Sequence, residues 1–350
     1  MISKKNHCLL FLLIISSIWL LSTPFSPKNC YADETVDEFL IHRTCHNISK
    51  INSYTGIVIQ KGIVDKQTVK AEIFFKKPSL YLSKIISPQL FKGISILYKD
   101  NLLLYYFPTL NWAIRIKNLP QTTTKQFNTI ISEHYYNNIN NFDFTFGKAT
   151  SIANLPVITL VHKSKSDYLW NRSGKTMIYD TYSFPLAGEI HFKGDHRYEY
   201  QYLNISFNMD FTDQIFEVPL SRNTIISDWD LNASPLSLTK MRAKANFQFS
   251  EPKDYILGLK RDRIIEQNGM VPAFALLYKK DPYFIIITMI RDYGFGTNDI
   301  YGIPIQSSKK GRLILSSILS SFSFIHKEVI YTITGNLSFE DIIAIADTIH

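Results

Sequence analysis

The stretch Ala71 to Lys117 constrains this chain most. It reads AEIFFKKPSLYLSKIISPQLFKGISILYKDNLLLYYFPTLNWAIRIK. Short apolar runs lie end to end. Lys77-Pro78, Ser87-Pro88, Lys99-Asp100-Asn101 and Pro108 separate them as turn signals. That spacing predicts a meander of five antiparallel strands. Alternation assigns Ile73, Phe75, Leu80, Leu82, Ile94, Ile96, Tyr98, Trp112, Ile114 and Ile116 to one apolar face. Lys70, Glu72, Lys76, Arg115 and Lys117 fall on the other. The chain has 20 Tyr and 24 Phe, a composition that suits strands better than helices.

The first residues carry a different pattern. Lys4 and Lys5 precede the apolar run Cys8–Leu21, and a polar, Pro-containing segment follows. This is the layout of a secretory signal, and Cys30-Tyr31-Ala32 places small residues for cleavage after Ala32. The protein is therefore expected to be exported and extracytoplasmic, in a periplasm where one exists, with membrane association through a retained signal as the alternative. Cleavage would remove Lys4, Lys5 and Lys28 and no acid, leaving 35 basic and 30 acidic residues and a single cysteine, Cys45. Such a chain has no internal disulfide and rests on its core. Its weak positive charge is spread out, without the Lys/Arg run that follows a nucleic-acid backbone, so no nucleic-acid partner is expected.

Beyond the signal, Asp33–Lys50 reads as a helix with acids in its first turn. A second short helix is expected at Lys125–Tyr136. Strands are expected at Leu155–His162, Lys175–Phe184, Glu189–Lys193 and Tyr198–Phe207, with Gly174 and Gly188 as turns. Tyr198, Tyr200 and Tyr202 share one face by period-two alternation. Residues 221–238 are polar and aperiodic, as a linker would be. Residues 239–350 then form a second region, with strands at Tyr255–Leu259, Ala273–Tyr278, Tyr283–Arg291 and Val329–Thr334 and turns at Gly302 and Gly311. Its final helix is Phe339–Ile349, capped by Ser338 with Asp341 in the reciprocal position. The expected organisation is thus 1–32 signal, 33–220 first domain, 221–238 linker and 239–350 second domain.

Catalytic chemistry is hard to place on this pattern. Ser173-Gly174-Lys175-Thr176 lacks the upstream glycine of a phosphate-binding loop, since Leu169 stands there. His191, Asp195 and His196 straddle a turn without further ligands. Gly294-Phe295-Gly296 opens no helix. No catalytic residue, metal ligand or cofactor is expected.

Several segments together resemble the LolA-type lipoprotein-carrier superfamily, which includes LolB and the N-terminal domain of RseB/MucB. They are Tyr54-Thr55-Gly56, Phe74-Phe75-Lys76-Lys77-Pro78, Leu90-Phe91-Lys92-Gly93, Tyr98-Lys99-Asp100-Asn101, Tyr105-Tyr106-Phe107-Pro108 and Asn208–Phe211 leading to Pro219. The likeness covers about Asp33 to Leu220. It implies a mainly β (α+β) protein. A strongly curved antiparallel half-barrel sheet would be covered by helices and followed by a smaller C-terminal α+β domain. It also implies a non-enzymatic role, with acyl chains or lipidated proteins held against the sheet. Trp112, Tyr98 and the Tyr198–Tyr202 ladder suit the lining of such a groove and suit a filled core equally well. The two-domain plan is similar to RseB-like regulators, which implies a membrane-anchored protein partner for the C-terminal domain as the alternative role.

Overall fold

The computed structural model describes residue 47 and residues 50–64, 67–77, 80–119, 141–166, 171–193, 197–267, 272–281, 283–292, 303–315 and 320–350. The expected helices Asp33–Lys50, save Asn47 and Lys50, and Lys125–Tyr136 lie outside these residues, as do Asp195, His196 and Gly294–Gly296.

The meander is present as expected. After β1 (Ser53–Val64), its strands are β2 (Gln67–Lys76), β3 (Leu80–Ser87), β4 (Ser95–Lys99), β5 (Leu102–Phe107) and β6 (Trp112–Lys117). The two-residue turn between β4 and β5 uses Asp100 with φ of 56°, a left-handed conformation that Asp tolerates. The remaining strands of this sheet are β7 (Phe142–Phe146), β8 (Thr150–Ile152), β9 (Leu155–Ser164), β10 (Asn171–Tyr179), β11 (Phe184–Phe192), β12 (Arg197–Phe207) and β13 (Ile225–Asp230). They join in the order β13-β6-β5-β4-β3-β2-β1-β12-β11-β10-β9-β7, with β8 also on β9. The sheet is open, running from β13 to β7, and is antiparallel except at β13.

β13 lies inside the stretch expected to be a linker and pairs parallel to β6, Ile225 against Trp112 through Asp230 against Lys117. Arg115 clamps it: Nε and Nη2 donate to the two oxygens of Asp228 at 2.5 and 2.6 Å. Lys117 Nζ adds a bond of 3.1 Å to the same carboxylate, and Trp112 Nε1 donates to Ser227 Oγ at 3.0 Å. The hydrogen bond from Arg115 holds the Asp228 pKa below the usual carboxylate value against a smaller opposing effect of burial. A carboxylate with a depressed folded-state pKa contributes stability above its unfolded pKa of about 3.9, and that contribution is lost as pH falls through the folded value. Asp228→Asn should therefore lower stability by about 1 kcal/mol at neutral pH, the scale of a half-exposed bidentate pair. Urea unfolding at a series of pH values should show the gap between variant and parent closing below about pH 4.

The second sheet contains β14 (Tyr255–Ile256), β15 (Leu259–Glu266), β16 (Ala273–Lys280), β17 (Tyr283–Arg291), β18 (Ile303–Gln306), β19 (Lys310–Leu315), β20 (Ser320–His326) and β21 (Val329–Gly335). Their order is β14-β15-β16-β17-β21-β20-β19-β18. Its central strands β16, β17 and β21 are buried along most of their length, which explains their near-continuous apolar sequence. On one face Phe322, Phe324 and Tyr331 stack at 5.7 and 5.3 Å. On the other, hydroxyls pair across strands, Ser321 with Thr334 at 2.7 Å and Ser323 with Thr332 at 3.0 Å, so burial leaves them satisfied.

Two helices accompany this sheet. α1 (Leu238–Lys244) is capped by Ser237, whose hydroxyl accepts from Lys240 N. α2 (Phe339–Asp347) packs on β20 and β21 and buries Ile342, Ile343, Ile345 and Ala346. The Asp341 N–H donates to Ser338 Oγ at 3.1 Å as expected of the cap. The Asp341 carboxylate departs from the reciprocal pattern by accepting from the Ser338 hydroxyl itself at 2.6 Å.

One apolar cluster runs through both sheets. Between them Phe192 meets Phe339 edge-on at 5.9 Å, Asn171 N donates to Glu340 Oε1 at 3.2 Å, and Arg263 Nη1 donates to the Leu231 carbonyl at 2.8 Å.

Gly174, Gly188 and Gly311, expected in turns, instead lie within strands β10, β11 and β19. The expected single strand Lys175–Phe184 is split, with β10 ending at Tyr179 and β11 starting at Phe184. The reason for the glycines is close approach. A Cβ on Gly188 would stand 2.4 Å from Tyr200 Cε1, and one on Gly311 would stand 2.5 Å from Phe322 Cζ. Each glycine makes the bed for an aromatic ring on the neighbouring strand. The Ser173–Thr176 stretch is likewise plain strand, paired with β11 from His191 to Gly188.

Candidate functional site

Strand register fixes which side chains share a face. Reading across β1 to β6, one rung is Gly56, Ile73, Ser83, Ile96, Tyr105 and Ile114. The next is Tyr54, Phe75, Tyr81, Tyr98, Leu103 and Ile116. Towards β12 the same face continues through Ala71, Val58 and Tyr202, then Val69, Gln60 and Tyr200. Tyr200 sits over Gly188, and Tyr198 pairs with Ile190. This aromatic face is continuous from β6 to β11, and nearly all of it is buried.

Among the residues expected on that face, Ile73, Phe75, Ile94, Ile96, Tyr98, Tyr198, Tyr200 and Tyr202 are buried in one cluster, with Ile114 and Trp112 packed at its margin. Trp112 stacks on Phe107 with centroids 5.2 Å apart, where β13 joins. Leu80 and Leu82 are not there. They point to the opposite face with Leu97, Leu104 and Ala113, beneath Phe211 and Phe216. The turn after β2 sets this arrangement by pairing Lys76 with Leu80, which places Tyr81 beside Phe75 and Leu82 beside Phe74. Simple alternation missed it because Leu80-Tyr81-Leu82 and Phe74-Phe75 are apolar on both parities.

The second apolar face is closed by the chain itself. Residues 208–220 fold across it. Phe211 meets Phe74 edge-on at 6.0 Å, and Lys76 Nζ donates to the Phe211 carbonyl at 3.0 Å and pairs with Asp213 at 2.8 Å. Ile215, Val218 and Leu220 complete the cover.

The aromatic face differs in its polar groups. Ser83 is 1% exposed and Tyr200 3% exposed, and the hydroxyl of each has no hydrogen-bond partner among the described residues. Buried hydroxyls are normally paired, and an unpaired one is destabilising by about 1–3 kcal/mol. Burial pushes the Tyr105 and Tyr200 pKa values upward, with the Tyr198 hydroxyl adding to the effect on Tyr200, so both hydroxyls stay neutral. Among the described residues of β1 to β6 and β12, no acid, base or cysteine lies on this face. Its chemistry is that of an apolar surface dotted with neutral hydroxyls.

Sequence reasoning missed Tyr81, Ser83, Ile85 and Tyr105 on this face. Tyr105 was legible only once Ile96 was known to be its partner, and Ser83 carried no apolar signal at all. The polar face around Glu189 is a surface ion cluster. Lys175, His191 and Arg197 surround that carboxylate at 2.9, 2.7 and 2.9 Å, and no group of three or more metal-ligating side chains occurs among the described residues. Nor is any helix among them long and apolar enough to cross a membrane.

No family profile and no curated protein matches this sequence. Among solved structures the chain is similar to MucB from the Pseudomonas aeruginosa MucA/MucB complex, at 9% identity over 89% of this chain and 97% of that one, with a TM-score of 0.42. It is also similar to LppX, a Mycobacterium tuberculosis lipoprotein, at 11% identity over 48% and 93% of the two chains and a TM-score of 0.33. A third is the LolA superfamily protein NE2245 of Nitrosomonas europaea, at 12% identity over 53% and 98% and a TM-score of 0.29.

Proposed function

We propose that the chain is a non-enzymatic envelope protein whose first sheet acts as a half-barrel and holds acyl chains, free or on a lipidated protein, against its aromatic face. The observation that carries this reading is the asymmetry between the two faces. The leucine face is covered by residues 208–220, which Lys76 ties down through the Phe211 carbonyl and Asp213. The aromatic face is broad, uncharged and set with buried hydroxyls, of which Ser83 and Tyr200 have no partner among the described residues. An acyl chain matches the apolar area, and its carbonyl or ester oxygens would accept from those hydroxyls. The residues assigned to the ligand are Ile73, Phe75, Ile94, Ile96, Tyr98, Trp112, Ile114, Tyr198, Tyr200 and Tyr202, joined by Ser83 and Tyr105.

Displacement of a fluorescent fatty-acyl probe, with native mass spectrometry of the purified chain, tests the proposal. The expected result is saturable one-site displacement that weakens when Trp112 is replaced by Glu and persists when Lys117 is replaced by Ala. Lys117 belongs to the opposite parity and serves Asp228. Absence of any bound acyl species in both measurements sinks the proposal.

A further inference from the structure

The hairpin joining β14 to β15 breaks two rules at once. Its tip residues Leu257 and Gly258 both have positive φ, 47° and 79°. That turn favours Asn-Gly or Asp-Gly, and a leucine in the left-handed region is sterically strained. Leu257 is also 56% exposed, and Tyr255, two residues before it on the incoming strand, is 62% exposed. The flanking Ile256 and Leu259 are buried, so the hairpin is anchored and presents its other two apolar side chains outward. The Tyr278 hydroxyl donates to the Lys253 carbonyl at 2.8 Å and fixes the approach to the tip. Strain and exposed apolar surface retained together at a rigid tip point to use.

The charges around the tip say what kind. Arg261 neutralises Asp254, and Lys279 pairs with Asp262 at 3.1 Å. Lys253, Lys260 and Lys280 are exposed and make no ion pair among the described residues. The Lys280 ammonium reaches to 3.9 Å from where a side chain on Gly258 would begin. An aromatic and an aliphatic side chain on a fixed tip, ringed by uncompensated lysines, match the boundary of an anionic bilayer. The apolar pair would enter the headgroup layer while the ammonium groups meet lipid phosphates.

We infer that the Tyr255–Leu259 hairpin is a membrane-surface anchor specific for anionic phospholipid. The site is separate from the aromatic face of the first sheet and does not depend on what that face binds.

Hydrogen exchange on the full chain, with vesicles of phosphatidylcholine alone or mixed with phosphatidylglycerol, tests this locally. Attachment through any other segment does not register at residues 253–260. The expected result is slowed exchange there with the mixed vesicles only, reversed by salt. Replacing Lys253, Lys260 and Lys280 by Gln should weaken vesicle binding about fivefold per lysine. Leu257→Asn gives the sharpest contrast. Asn accepts the left-handed turn, so the thermal midpoint should hold or rise while protection at the tip is lost. Acyl-probe displacement should be the same in this variant and the parent. Equal protection with neutral vesicles, no protection with either, or undiminished binding of Leu257→Asn would overturn the inference.

Discussion

Adding one methyl group at Gly188 should destabilise the protein by about 3 kcal/mol, although alanine in a strand is ordinarily favoured over glycine by about 0.5–1 kcal/mol. Steric overlap decides the sign. The new Cβ would lie 2.4 Å from Tyr200 Cε1 and 2.8 Å from both Cζ and the hydroxyl oxygen. Tyr200 is 3% exposed and its neighbour Tyr198 stacks at 6.0 Å, so the ring has no open direction in which to swing. Urea unfolding should give a lower midpoint with an unchanged slope. Tyr200→Ala alone should cost about 3–5 kcal/mol as a large buried aromatic deletion. In the double variant the methyl group occupies space the ring has left, so the two losses should fall short of additivity by about 1 kcal/mol or more. Additive losses would show that Gly188 is required for backbone conformation and that the ring contact is incidental.

Ser83→Phe should abolish acyl-probe binding, by about tenfold or more in apparent affinity, while leaving the chain as stable as its parent or more so. Ser83 lies at the middle of the aromatic face, opposite Ile73 on one strand and Ile96 on the other. In a core filled by the chain itself, a benzyl group here is overpacking and would lower stability by about 1–3 kcal/mol. On a face that receives a ligand, the ring takes the ligand's place, adds apolar burial and removes a hydroxyl that has no partner among the described residues, which together favour the folded state. Stability and binding thus move in opposite directions under one reading and stability alone falls under the other. Thermal unfolding beside probe displacement on the same preparation separates them.

Much of the first sheet was legible because its turns are local chemistry. Lys77-Pro78, Ser87-Pro88 and Asp100-Asn101 each stop a strand within two residues, and the five strands of the meander follow. What the sequence concealed is set by distant partners. Leu80 and Leu82 follow the register of a turn across which both parities are apolar, so only pairing tells the faces apart. β13 reads as linker because Asp228 and Asp230 interrupt its apolar residues; Arg115 and Asn118 answer those charges from more than a hundred residues upstream. Gly188 looks like a turn until Tyr200 is laid over it. The weakly apolar β19 and β20 carry Gly, Ser and Lys and join the sheet in succession, β20 on β21 and β19 on β20. The aromatic face was anticipated through its large residues. Its Ser83 and Tyr105 became visible only through the rungs on which they sit.

The parallel strand at the margin of the first sheet has a consequence for how the chain becomes complete. β6 receives its outer neighbour from residues that arrive only after β7 to β12 have all been laid down on the far side. Until then its backbone donors and acceptors line an open border, which any extended peptide of suitable pattern could occupy. The border is sealed last, by a strand whose own ends run straight towards the second sheet, with Leu231 bonded to Arg263 and Leu236 to Ile264. The strand that seals the first sheet thus leads directly into the contacts that hold the second.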